Sequence, residues 1–219
     1  MSDVFQGSLF DPPAPDPATA APRGAAEGFP SLEALKQVCL GCQKCGLAKG
    51  RTHVVVERGN PQAKIMIIGE GPGEQEDLQG IPFVGKSGQL LDKILQSIQL
   101  DPEGDVYIAN AVKCRPPQNR VPTEAEMEAC RPYLLEQIRL VDPWILLLTG
   151  ATAVRTITGD KRGITKIRGQ WQQWQGRWVM PIFHPAYLLR NPSREQGSPK
   201  WLMWQDMLQV KAKMAELRF

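Results

Sequence analysis

Four cysteines split between two distant segments constrain this chain more than any other feature. Cys42 and Cys45 form a Cys-x2-Cys pair, while Cys114 and Cys130 lie far downstream with fifteen residues between them. A fifth, Cys39, stands one helical turn before the first pair. A fold that joins the four must close the segment near residue 45 onto those near 114 and 130. The N-terminus opens on Asp3 and polar, proline-rich sequence without an apolar run, so no secretory leader is expected and the chain is expected in the cytoplasm. Disulfides are rare there, and such spacing points to metal. His53 and His184 are the only histidines, which leaves few mixed sites. Four thiolates from two segments suit a [4Fe–4S] cluster or an all-cysteine zinc site. Spacing alone leaves both open, beside a plain role as core residues.

Residues 1–30 read as a disordered tail, dominated by Pro, Ala and Asp, that cannot pack a core. Residues 31–219 read as one domain, long enough to bury a sizeable core. No apolar segment approaches a membrane span. The tail carries four acids against Arg23, a charge of −3, so the rest of this +3 chain is +6. That balance permits a nucleic-acid partner without requiring one.

Along the chain, Ser31 reads as an N-cap for a helix that delivers Cys39, Cys42 and Cys45. Lys64–Ile68, Val106–Ala111 and Pro143–Thr149 read as buried strands. Ser87–Ile98 carries one apolar face, and a second helix runs from Pro122 to about Leu140. Gly69–Gly85 reads as a loop, Gly150 as a helix start, and Gln170–Met180 as a hairpin turning at Gln175-Gly176. Pro181–Phe183 ends a strand before His184, and Ser198-Pro199 opens a C-terminal helix. Strands alternating with helices imply an α/β fold. The expectation is a single three-layer domain with a central, mostly parallel four-stranded sheet flanked by helices.

Ligands of such sheets bind beyond the carboxyl ends of the strands. Three polar segments fall there: Gly69–Asp77 (GEGPGEQED), Asn110, and His184–Pro192 (HPAYLLRNP). Glu70, Glu74, Glu76 and Asp77 argue against a phosphate loop, and no Gly-Lys-Ser/Thr ending is present. Glycine backbone followed by Phe83 suits the grip of a flat base.

Gly69–Leu91 (GEGPGEQEDLQGIPFVGKSGQLL), Tyr107–Arg120 (YIANAVKCRPPQNR) and Phe183–Ser193 (FHPAYLLRNPS) resemble the family 4 uracil-DNA glycosylases, in the family's order. The resemblance runs from about Cys42 to the C-terminus. It implies a uracil-DNA glycosylase-like fold and a monofunctional hydrolase of base-excision repair. It also implies a [4Fe–4S] cluster held by Cys42, Cys45, Cys114 and Cys130, with Cys39 outside the set. Its substrate would be uracil in single- or double-stranded DNA, flipped into a pocket.

By the same resemblance Phe83 stacks on uracil, Asn110 reads its Watson–Crick edge, and His184 donates to O2 as the base leaves. Glu76 fills the space beside C5. Glu70 and Gly71 line the sugar side, near the attacking water. Better-known uracil glycosylases place an aspartate where Gly71 stands, so leaving-group stabilisation carries more of the work here, with Glu70 supporting the sugar cation.

The basic segment holding Lys161, Arg162, Lys166 and Arg168, near Trp171, Trp174 and Trp178, reads as a DNA surface. The tryptophans themselves suit a hairpin core. Leu188 and Leu189 are candidates for a wedge into the vacated base stack, with Arg190 on a flanking phosphate. Two rivals stand beside the glycosylase. One is an iron–sulfur redox sensor that binds DNA. The other is a relative that links covalently to the abasic sugar through a histidine-bearing insertion; here Asp160–Gly169 (DKRGITKIRG) has no histidine. In the tail, Gln6-Gly7-Ser8-Leu9-Phe10 resembles the Gln-x-x-Leu-Phe motifs that dock on bacterial sliding clamps. A monomer is expected.

Overall fold

The computed structural model describes residues 28–219; the expected tail up to residue 27 and the Gln6–Phe10 motif lie outside that range. Phe29 is tied to the domain, its amide donating to Glu136 Oε2 at 3.1 Å and its carbonyl accepting from Arg139 at 2.7 Å. Ser31 caps α1 (Leu32–Leu40) by accepting from the Ala34 amide.

The chain then lays down β1 (Arg58–Gly59), β2 (Ile65–Gly69), α2 (Glu74–Gln79), α3 (Lys86–Ser97) and β3 (Val106–Asn110). Next come α4 (Glu124–Val141), β4 (Ile145–Thr149), α5 (Ala151–Thr158) and α6 (Ile164–Ile167). It ends with β5 (Gln172–Trp174), β6 (Arg177–Ile182), α7 (Pro185–Arg190) and α8 (Pro199–Leu217). Two reciprocal caps set the start of α4: Thr123 accepts from the Glu126 amide, and the Glu126 carboxylate accepts from the Thr123 amide. The β5–β6 hairpin turns at Gln175 and Gly176, both at positive φ. Two such residues in succession are what a tight two-residue hairpin loop requires.

The sheet runs β1-β3-β2-β4-β6-β5. Its four inner strands are parallel, as expected, but it holds six strands rather than four, because short antiparallel strands β1 and β5 close both edges. Every residue of β2, β3 and β4 is buried, since helices cover both faces. On one face Ile65, Ile67, Ile108, Leu147 and Met180 meet α3, α7 and α8. On the other, Met66, Ile68, Tyr107, Leu148 and Val179 meet α4 and α5. A third cluster joins α1 and α4 around Cys39, Cys114 and Cys130.

The Gly69–Gly85 segment is not wholly a loop: its acidic middle forms α2, with Glu74, Glu76 and Asp77 in the first turn, where the helix dipole favours carboxylates. Among the described residues, no helix is long and apolar enough to cross a membrane.

Candidate active site

β3, β2, β4 and β6 are adjacent and parallel, so their carboxyl ends open on one edge. A cleft of about 820 Å³ lies there. Glu70, Gly71, Glu76, Phe83, Asn110 and His184 all line it, so three sequence segments meet at one place.

Asn110 is the last residue of β3 and only 2% exposed. Its side-chain Oδ1 is buried and has no hydrogen-bond partner among the described residues. A buried acceptor left open in this way is costly unless a ligand supplies the donor. Phe83 is 5% exposed and sits at φ 55°, a left-handed conformation that bulky residues rarely adopt. Two neighbours hold it there. Glu76 accepts from the Val84 and Gly85 amides at 3.0 and 2.8 Å and from the Gly73 amide at 3.1 Å. Gly88 leaves room beneath, because a Cβ there would stand 1.7 Å from the Phe83 carbonyl oxygen. Glu76, expected simply to fill space beside a base, has its carboxylate engaged in clamping the Phe83 loop.

His184 caps α7, and its Nδ1 accepts from the Ala186 amide at 3.2 Å. That bond leaves the ring proton on Nε2. Burial first, and then the positive charge of Arg190, push the His184 pKa down to about 4, against a smaller opposing pull from Glu76. The ring is therefore a neutral donor near pH 7. It lies 5.9 Å from the Phe83 ring, tilted by 30°. Glu70 is held by the Thr152 hydroxyl, which donates to its Oε2. Thr152 is a residue that sequence reasoning did not single out, because its partner lies 82 residues away.

Basic side chains ring the mouth. Arg120 is paired with Glu126 at 2.7 Å, Arg162 with Asp160 at 2.6 Å and Arg155 with Glu124 at 3.5 Å. The Arg120 guanidinium, followed by bonds from Thr123, pulls the Glu126 pKa down to about 2. Lys161 and Arg190 line the cleft without a carboxylate partner among the described residues.

Two expected DNA contacts are corrected. Arg168 is ion-paired with the buried Asp206 and donates to the Leu202 carbonyl at 3.1 Å, so it anchors α8. Leu188 is 1% exposed within the core and cannot enter DNA, whereas Leu189 is 44% exposed. Lys166 is exposed but lies off the cleft. Trp171 and Trp178 pack edge to face at 6.2 Å, and Lys213 lies 4.0 Å over the Trp178 ring, which makes them hairpin core.

Away from the cleft, Cys42, Cys45, Cys114, Cys130 and Cys39 line one small, largely apolar pocket with Leu47, Val54 and Val112. Arg51 donates to Cys114 Sγ at 3.3 Å and to the Cys42 carbonyl at 2.7 Å. Burial pushes the Cys130 thiol up to about 11 and Cys39 up to about 12, and Lys113 opposes both. Among the described residues, no group of three or more His, Cys, Asp or Glu is arranged to hold a metal ion. The donor chemistry still fits a soft metal centre: thiols alone, set among apolar and basic side chains, with an N–H aimed at sulfur.

The fold and cleft define an α/β protein that gathers Asn110, Phe83 and His184 at the carboxyl edge of its parallel strands. The chain belongs to the uracil DNA glycosylase superfamily, whose sequence model matches residues 56–208. It is 47% identical to the type-4 uracil-DNA glycosylase of Thermotoga maritima, over 75% of this chain and 86% of that protein. It is 42% identical to the type-4 enzyme of Sulfurisphaera tokodaii, over 74% and 78% respectively. The corresponding protein of Saccharolobus solfataricus is 43% identical over 69% and 74%.

Proposed function

We infer that the protein is a base-excision-repair hydrolase that removes uracil from DNA and leaves an abasic site. The observation that carries this reading is the open, buried Asn110 Oδ1 beside Phe83 and His184 at the edge of a parallel sheet.

A base must leave the helical stack to reach such a cleft. Phe83 offers the ring a stacking face. Asn110 Oδ1 accepts from uracil N3–H, and its amide N–H donates to O4; cytosine presents the opposite pattern at both positions. The C1′–N1 bond breaks with its electron pair on the base, and negative charge builds at O2. The His184 Nε2–H, already neutral and oriented by Ala186, meets that charge without reorganising. The positive sugar left behind is supported by Glu70. Water adds its oxygen to C1′ and gives a proton to Glu70, which passes it to solvent; the uracil anion takes a proton from solvent. Gly71 and Glu76 bound the remaining side of the ring. Leu189 is the wedge, and Arg190 and Lys161 take flanking phosphates, with Lys166 as an outlying contact.

Cys42, Cys45, Cys114 and Cys130 would hold a [4Fe–4S] cluster, as their thiol-only donor set in one pocket supports. Through these four residues a bound cluster would tie the 42–45 segment and α4 to the loop after β3; hydrolysis itself needs no electron transfer. The enzyme works as a monomer in the cytoplasm, on single- or double-stranded DNA, and Gln6, Leu9 and Phe10 tether it to the sliding clamp.

The test is to incubate purified protein with an oligonucleotide holding one uracil. Alkali-labile abasic product with no stable protein–DNA adduct is expected. Intact DNA leaves the redox-sensor reading in place, and a covalent adduct favours the linking relative.

A further inference from the structure

We propose that Thr152 is a positioning residue for hydrolysis, one that fixes the Glu70 carboxylate with a single oxygen free for the water and the sugar. This rests on the uracil-glycosylase reading of the cleft and deepens it. Glu70 follows β2, and Thr152 lies in the first turn of α5, just after β4. β2 and β4 are paired neighbours, so their carboxyl ends bring the two residues together. The Thr152 hydroxyl donates to Glu70 Oε2, and both residues line the cleft. Glu70 Oε1 has no hydrogen-bond partner among the described residues. The hydroxyl is thus the side chain's one polar anchor there.

Thr152 is well suited to the task. A threonine in a helix has two favoured χ1 rotamers, and the bond to Glu70 selects between them. The start of α5 is pinned to the sheet, because the Gly150 amide donates to the Ile182 carbonyl at 2.9 Å. Thr152 in turn accepts at its carbonyl from Thr156 Oγ1 at 2.9 Å. The first turn of a helix also presents positive partial charge to a nearby carboxylate. With Oε2 held, Oε1 can receive the proton that leaves water as its oxygen bonds to C1′. Without the hydroxyl, Glu70 samples other rotamers, and the water loses its direction. Thr152 touches neither base nor phosphate in this scheme, so its loss should slow the chemical step and spare DNA binding.

The experiment compares wild type with Thr152→Ala, Thr152→Val and Thr152→Ser in single-turnover uracil excision over a range of protein concentration. Thermal unfolding is measured alongside. Ala and the near-isosteric Val should each slow the saturated rate about 10- to 100-fold, the effect of losing a bond to a charged group. The half-saturating concentration should stay at the wild-type value, and Ser should recover the rate to within a few-fold. Combined with Glu70→Gln, Thr152→Ala should add little, because both act through one group. A wild-type rate in Thr152→Val, a loss confined to half-saturation, failure of Ser to rescue, or full additivity with Glu70→Gln each overturns the assignment. If wild type releases no uracil at all, the reading of the cleft fails as well; the other outcomes overturn Thr152 alone.

Discussion

Gly69 closes β2 between the two side chains that would hold the base. A methyl group there would stand 2.3 Å from Asn110 Oδ1, and 2.6 and 2.7 Å from Phe83 Cζ and Cε2. Ordinary contacts need about 3.5 Å, so something must give by about 1 Å. The backbone is poorly placed to yield. Gly69 pairs in register with Asn110, and its carbonyl accepts from the Ala111 amide at 2.9 Å. The displacement therefore falls on the Asn110 amide and the Phe83 ring, the free ends of side chains. Gly69→Ala should cost about 1–3 kcal/mol of stability, as overpacking does. That is a fall in Tm of about 2–12 °C for a domain this size. The rate should suffer more, since a misplacement of about 1 Å in a reacting geometry can cost about 100-fold. The assay is single-turnover excision, run well below the melting point of both proteins, with a circular-dichroism melt beside it. A Gly69→Ala protein that excises at the wild-type rate would refute the claim that Asn110 and Phe83 hold the base from either side of this strand end.

Other expectations follow from the same geometry. Asn110→Asp places a carboxylate against uracil O4, so the ratio of uracil to cytosine excision should fall in matched oligonucleotides. His184→Ala should slow base release about 100- to 1000-fold, as loss of one anion-stabilising donor does. Because the His184 pKa falls from 6.5 to about 4 in the folded protein, the unfolded chain binds more protons between those values. Stability should drop as pH falls through that window, by roughly 3 kcal/mol in total, and be fully present above it. Denaturant titrations of wild type and His184→Ala from pH 7 to pH 4 would show the difference in slope. Alanine at Cys42, Cys45, Cys114 or Cys130 should abolish bound iron and most soluble protein, while Cys39→Ala keeps both, as read by iron assay and visible absorbance. Stoichiometric zinc in colourless protein purified without air would contradict the cluster. Removing residues 1–12 should weaken binding to the cognate clamp; equal binding by both forms ends the tethering idea.

Much of the fold was legible because it rests on local signals. The apolar runs Lys64–Ile68, Val106–Ala111 and Pro143–Thr149 mark strands buried on both faces, and their common direction places Asn110 and His184 on one edge. The Ser31 and Ser198 caps, and the Gln175-Gly176 turn, are equally local. What escaped sequence reading depends on partners far along the chain. Arg168 looked like a DNA contact because Asp206, 38 residues on, is invisible to a local window. Leu188 and Leu189 looked alike until α7 turned one inward and left the other in solvent. The edge strand β1 is only two residues long and has no periodicity to detect. The Glu76 clamp and the Thr152 anchor join residues whose roles exist only once loops from different strands meet.

The central claim is tested most directly by measuring which free base the purified protein releases. Matched oligonucleotides would carry radiolabelled uracil, thymine or cytosine at one position, with products separated by chromatography. Uracil-specific excision requires free uracil in an amount equal to the abasic sites formed, with thymine and cytosine left in place. Release of no base from the uracil strand, or of thymine as readily as uracil, would contradict it.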